Sequence, residues 1–427
     1  MQTERVPSDR PAPLGEHDAP GASAALLLLC VTYVFNFLDR TLIFILFPLI
    51  KAEMKLTETE LALLGSTSFV LFYTVLGVPF GRLADRVSRK WMIAVGLTLW
   101  SVASALTGAM HGFSGLFLCR MFVGVGEATL GPAALSLLSD YFAPKKRATA
   151  GAGFSAGIAI GAGIALVAGG ALGARYGWRN AFYYCGFPGV LLAALVLLIR
   201  EPARGASEHK VVTQVEPAAS AIVALFRTRG FVTTIGGYAV FTVATQALSM
   251  WIPGFLVRVH HLPIAEAGLY TGALTGTAGL VGVLGGGALS DLLRRSGRGG
   301  RLRFTALNAL LCAPLWLVLL KATSLAMALV PFALLVMLGL AFLGPAAADV
   351  QDLAGPARRG IAIGVYFLCV NVLGYGLAPP IIGKLGDLLD VASHPELMRQ
   401  SLLVCPVAAV AAAAVLYLAS RKLEQPA

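Results

Sequence analysis

Two charged residues stand where charge is expensive. The run RMFVGVGEATLGPAALSLLSDYFAPKKR, from Arg120 to Arg147, begins inside a segment flanked by apolar residues for a span's length on both sides, yet it carries Arg120 and Glu127. Ionisable residues at membrane depth are costly, and each is by default a pointer to a substrate or ion pathway. Seven positions separate the two, which on a helix puts them about 10 Å apart along the axis and about 20° apart in azimuth, facing the same way. Gly124 and Gly126 between them let a neighbouring backbone or a ligand approach closely. Charges that only satisfy one another inside a bundle are the plainer alternative.

The elements that position such a pair are membrane-spanning helices. Of the 427 residues, 57% are hydrophobic and 13% charged, against about 25% charged in soluble domains. Windows of about 20 apolar residues give twelve spans, starting near Ala24, Leu61, Trp91, Ser114, Thr149, Ala181, Thr233, Leu269, Phe304, Leu325, Ile361 and Leu402. The expected fold class is an all-α polytopic membrane protein, and an even span count puts both termini on one side. Lys and Arg choose that side: of the 33 present, 23 fall in the tails and even-numbered loops and 8 in the odd-numbered loops. Both termini are expected in the cytoplasm, with the chain multi-pass in the cell membrane. The net charge of +11 is thus mostly a topology signal. The basic loops carry no interleaved aromatics or nucleic-acid motif, so nucleic acid is not an expected partner.

Cys30, Cys119, Cys185, Cys312, Cys369 and Cys405 fall inside the expected spans with no CxxC, while His17, His111, His209, His260, His261 and His394 fall in loops or tails. Disulfides, zinc, haem, a buried metal and a histidine proton relay are therefore not expected, nor is any cofactor. HExxH and a Walker loop are absent from the sequence, which argues against a membrane-embedded enzyme.

Residues 1–22 read as a polar, Pro-rich cytoplasmic tail too poor in apolar residues to fold. The apolar run from Ala24 lacks a small-residue cleavage site and reads as a retained span. Six spans occupy 23–199, a charged linker 200–230, six more spans 231–420, and a short tail 421–427. The linker ends in AIVALFRTR, which suits an amphipathic segment lying on the membrane. Two internal matches support a duplication. Superposing Asp85 of GRLADRVSRK on Asp291 of GGALSDLLRRSGR needs an offset of 206, and LGPAA at Leu130 to Ala134 recurs at Leu343 to Ala347 with an offset of 213. Two six-helix bundles related by an axis along the membrane normal are expected.

Span one, entering from the cytoplasm, carries Asp39 and Arg40 about 22 Å in, the outer third of a core about 30 Å thick. Span four runs the other way, so Arg120 lies at a similar depth and Glu127 near the midplane. Depth and direction permit an ion pair between Asp39 and Arg120, with Arg40 and Glu127 completing a charge-balanced cluster. Asp85 at the end of span two is placed to accept from a helix N-terminus, and Arg86, Arg89 and Lys90 to meet Asp140 at the end of span four. Such contacts make a cytoplasmic gate, with Asp291 at the corresponding place in the second half; topology-setting charge with capping is the alternative. At cavity depth the second half offers the neutral Gln246, Asn308, Tyr366, Asn371 and Tyr375, and Asn36 lies on span one. A cavity charged on one wall and largely apolar on the other suits an amphipathic ligand, although an interhelical hydrogen bond is the plainer role for each neutral residue.

GRLADRVSRK resembles the loop 2–3 signature of the major facilitator superfamily, with Ser88 where a glycine is common, and RMFVGVGEA resembles that family's span-four signature. GIALVAGG, Gly163 to Gly170, keeps the glycines of the antiporter signature but has no proline, so obligate antiport is not expected. NFLDR (Asn36 to Arg40) together with GVGEATLGPAALSLLSDYF (Gly124 to Phe142) resembles the spinster-type lipid transporters of that superfamily. The resemblance implies the start of span eleven, near Gly360, as the partner of Asp85. It further implies a monomeric secondary transporter moving a lysophospholipid or sphingoid-type molecule by alternating access, with protons and membrane lipids as partners. A facilitator of a small organic anion or drug is one alternative, and a non-transporting lipid sensor is another.

Overall fold

The computed structural model describes residues 18–84, 86–143, 146–203, 218–293, 299–355 and 358–424. Helix follows helix, and no strand occurs among the described residues. Span one is a single helix, Ala22–Met54, stopped by Lys55 in the left-handed region at φ 54°, with its N–H on the Lys51 carbonyl. Span two begins with a capping box. Thr57 Oγ1 accepts the Glu60 N–H at 3.1 Å, and the Glu60 carboxylate accepts the Thr57 N–H at 2.8 Å, which satisfies two donors that a helix start leaves free. The span runs through Glu58–Ala62, a π-helical turn at Leu63–Thr67, and Ser68–Ala84. Span three is Arg89–Thr107, and span four is broken into Phe113–Glu127 and Leu130–Tyr141.

Between the expected spans five and six there is no loop. Arg147–Val196, 50 residues, is two helices that meet directly at Gly177, whose φ 79° and ψ 162° are not helical. At 1.5 Å per residue that is about 75 Å, more than twice an apolar core of about 30 Å. Among the described residues eleven helices are long and apolar enough to cross a membrane, and this run has the length of two crossings, which restores the count of twelve. A short helix, Ala218–Arg227, precedes the second half. Span seven is Phe231–Val259, span eight Ile264–Leu293 and span nine Gly300–Lys321. Span ten is broken like span four, into Leu325–Ala341 and Leu343–Ala354. Span eleven contains a second π-helical turn, Asn371–Leu377, between Arg359–Val370 and Ala378–Leu388, and span twelve is Val404–Glu424.

With twelve crossings, the first helix starts and the last one ends at the same face, the terminal end; the opposite face is the far end. The halves touch along spans five and eight largely backbone to backbone, with the Val167 side chain against Gly272. A Cβ added at Gly163 would lie 2.8 Å from the Gly272 carbonyl oxygen, one at Gly268 2.4 Å from that of Leu166, and one at Gly170 2.8 Å from that of Ile264. Small residues at fourth positions allow this approach. Nearer the terminal end a Cβ on Gly151, Gly153, Gly285 or Gly287 would meet nothing within 4 Å, so this close seam belongs to the middle and far part of the molecule. Apolar side chains such as Leu191, Leu198, Leu388 and Val407 point outward and are exposed, the surface that lipid rather than water accepts.

Candidate functional site

Neighbouring residues on a helix point about 100° apart, so Asp39 and Arg40 must face different partners. Arg40 turns to span four, where its Nη2 and Nε donate to Glu127 Oε2 at 3.1 and 3.3 Å. The Glu127 side chain is fully buried and that of Arg40 is 14% exposed. Three rings surround the guanidinium: the centroids of Phe69 and Tyr73 on span two lie 4.2 and 4.8 Å from its central carbon, and that of Phe37 lies 4.9 Å away. Ring faces attract a cation that has lost its water. The arginine thus has an ionic partner on one side and aromatic ones on the others.

Asp39 turns instead to span three, where its Oδ1 accepts the Ser104 hydroxyl at 2.8 Å. The ion pair that depth permits between Asp39 and Arg120 does not form. Arg120 Nη1 donates to the backbone carbonyl of Asp39 at 3.1 Å and Nη2 to that of Arg40 at 3.3 Å. Depth fixes which turns meet, but not which way each side chain points around its axis, and the Asp39 carboxylate points away from span four. Arg120 and Glu127 nevertheless both reach span one, as their shared helix face requires. Asn36 shares the Arg40 face of span one and is buried.

At the terminal end Arg89, buried at the start of span three, pairs with Asp140. It also donates to Glu201 Oε1 at 2.8 Å, Ser136 Oγ at 3.1 Å and the Pro202 carbonyl at 2.9 Å. Glu201 also accepts the Ser88 hydroxyl at 2.5 Å and the Arg89 N–H at 2.9 Å. Burial pushes the Glu201 carboxyl up, but the hydrogen bonds from Ser88 and Arg89 outweigh it and hold the group below its ordinary range. Lys90 donates to the carbonyls of Leu197 and Ile199 at 3.2 and 3.3 Å rather than to Asp140, and Arg86 is exposed. Asp85 lies outside the described residues, as does the side chain of Asp291. Glu201 sits just past span six in a stretch that reads as linker, and only its folding back onto the start of span three reveals it.

In the second half Arg301 pairs with Asp349 at 2.8 Å and also with Asp352, and the Tyr238 hydroxyl donates to Asp349 at 2.7 Å. Asn308 donates to the Leu338 carbonyl at 3.3 Å, and Tyr366 is buried edge-on against Tyr238. These two therefore make packing contacts within their own half. Gln246, Asn371 and Tyr375 are half-buried, and Tyr375 packs against the buried apolar residues of the first half. The two π-helical turns meet, with Thr67 Oγ1 donating to the Gly376 carbonyl at 2.8 Å. Sequence pattern gave no sign of these turns, although Phe69 and Tyr73, one helical turn apart, were a legible aromatic face.

Residues 29–379 match the family described as the Major Facilitator Superfamily. A protein of Mycolicibacterium smegmatis named MFS-type efflux pump is 29% identical over 409 residues, covering 94% of this chain and 93% of that one. The probable L-galactonate transporter of Escherichia coli is 26% identical over 423 residues, covering 95% and 90%. Among solved structures, a bacterial homolog of the human lysosomal transporter spinster, in an inward-facing and unoccupied conformation, superposes with a TM-score of 0.85 at 28% identity, covering 96% of this chain and 100% of that one. Family, twelve-crossing architecture and repeated halves agree: the chain belongs to the major facilitator superfamily and, within it, resembles the spinster-type transporters.

Proposed function

We propose that the chain is a secondary transporter that moves an amphipathic, lipid-like molecule of lysophospholipid or sphingoid type by alternating access, coupled to protons. One observation carries the reading: Arg40 is held by Glu127 and ringed by Phe37, Phe69 and Tyr73, while the facing half offers the neutral Gln246, Asn371 and Tyr375. A proton on Glu127 removes the charge that holds Arg40. The guanidinium, already within the rings, then binds an anionic head group through two parallel hydrogen bonds while the apolar wall takes the chain. Loss of the proton restores the pair and expels the head group, which couples the two binding events. Arg120 holds span one in place through its carbonyls, and Asp39 is a second carboxyl available to the cycle. The terminal end faces the cytoplasm in this reading. Arg86, Arg89, Lys90 and Asp140, with Asp85 and Asp291, form the gate there, and the protein works as a monomer in the cell membrane.

The relationship to a probable L-galactonate transporter supports a second reading, a small organic anion held by the same arginine. Purified protein in liposomes tests both, with labelled lysophospholipid, a sugar-acid anion and a choline-sized control, each with and without an imposed pH gradient. Lysophospholipid movement stimulated by the gradient is expected. Movement of the sugar acid alone selects the second reading, and thermal stabilisation by lysophospholipid without movement of anything makes the protein a lipid sensor. For topology, Arg5→Cys and Glu424→Cys should react with an impermeant reagent only from the cytoplasmic side; reaction only from outside reverses it.

A further inference from the structure

The far end is fastened across the two halves by a set of contacts outside the site above. Span two starts there with Glu58 and Thr59 in its first turn, where N–H groups have no partner within their own helix. The carboxylate that satisfies them comes from the other half. Asp387, near the end of span eleven, accepts the Glu58 N–H at 2.7 Å, the Thr59 N–H at 3.0 Å and the Thr59 hydroxyl at 2.5 Å. Glu58 in turn is 2% exposed and receives two hydrogen bonds from Arg258 at the end of span seven, at 2.5 and 3.3 Å, together with an ion pair from Lys51 of its own half. Two carboxylates and two cations therefore balance at this seam. Gly383 allows it to close: a Cβ there would lie 2.6 Å from the Glu58 carbonyl oxygen and 3.0 Å from the Thr59 Cα.

We propose that Asp387, with Glu58 and Arg258, is the latch that shuts the far end, and that Asp387 is a positioning residue for the transport cycle. It holds the first turn of span two against the last turns of span eleven, and opening the far end requires those three hydrogen bonds and the Glu58–Arg258 pair to break together. Charge-assisted bonds of this kind are roughly twice as strong as neutral ones, so the latch biases which face the site opens to. The inference rests on the two halves moving against each other and on nothing about cargo or protons, so its test needs no substrate.

Ser66 lies buried in the π-helical turn of span two, about two turns inward of the latch. Ser66→Cys is to be labelled by a charged, membrane-impermeant thiol reagent in intact cells and in inverted vesicles, with the parent chain correcting for native cysteines. Slow labelling from the far side is expected with the latch intact, and Asp387→Asn should speed it about tenfold, the population shift expected when a charge-assisted contact is lost. Asp387→Glu, which keeps the charge, should return the rate toward the parent value. If Asp387→Asn does not accumulate, Thr59→Ala removes one of the three donors and should give a smaller increase. Unchanged far-side labelling in Asp387→Asn or, where that variant does not accumulate, in Thr59→Ala overturns the latch. A failure of the lipid or proton reading would leave these rates as expected.

Discussion

Arg89 at the start of span three and Arg301 at the start of span nine do the same work in the two halves, each binding carboxylates at the end of the next span, Asp140 in one and Asp349 with Asp352 in the other. The far ends repeat as well. Arg179 donates to the carbonyls of Gly108 at 2.9 Å and Met110 at 2.6 Å, and Arg399 donates to those of Leu320 and, at 3.0 Å, Ala322; each closes the end of the third span of its half. The middles differ. Counting back from the repeated LGPAA, Glu127 corresponds to Leu340 and Arg120 to Ala333. Both halves break their fourth span at this point, yet only the first has charge there. The break, the caps and the packing of the second half do without it, which supports the role proposed for the buried charge of the first half.

Arg40→Ala tests that conclusion most severely. It leaves Glu127 buried with no cation on span one, and a broken buried pair costs about 3–5 kcal/mol, to be read from thermal unfolding in detergent. Adding Glu127→Gln to it should recover most of the loss; no loss in the single variant would mean the asymmetry carries no energetic weight. Glu127→Gln alone mimics the protonated state, so lysophospholipid should still bind while the transport rate no longer responds to a pH gradient. An undiminished response moves the coupling to Asp39 or ends it. The similarity of the halves is tested next by Arg179→Ala and Arg399→Ala, each of which strips two carbonyls of a charged donor and should cost about 1–3 kcal/mol. Losses that differ by more than that range would show the two clasps to be alike only in outline. Glu201→Gln should have the smallest effect and a defined pH signature. Because the folded carboxyl is held below its ordinary range, its contribution is complete above the unfolded value of about 4.3 and is lost as pH falls through the folded one. The stability gap between parent and variant should therefore close on acidification, and a gap that widens would reverse the assignment.

The spans were legible in the sequence because apolar length is a local property, and the site's neighbourhood was legible because charge at membrane depth is rare. What could not be read was pairing. An arginine reaches more than one helical turn, so Arg40, Arg120, Asp39 and Glu127 admit several combinations across the roughly 10 Å of depth that they span, and the orientation of span one decides among them. Residues that act only after the chain returns were hidden for the same reason: Glu201 folds back on Arg89, and Asp387 meets the start of span two from the opposite half. The bend at Gly177 was hidden differently, since the polar stretch around it reads as a loop while the backbone stays helical on both sides.

The glycine seam between spans five and eight has a mechanical side. Helices that meet through interlocked side chains must unlock and repack rotamers in order to turn, whereas at Gly163, Gly170 and Gly268 there are none to unlock. Under the proposed alternating access such a line is a plain bearing, at which backbone meets backbone and Val167 Cγ2 against Gly272 is the side chain in the way. Its length is limited where the glycines cease to touch, before Gly153 and Gly285, and in the proposed cycle that boundary is the pivot about which the terminal ends would swing apart.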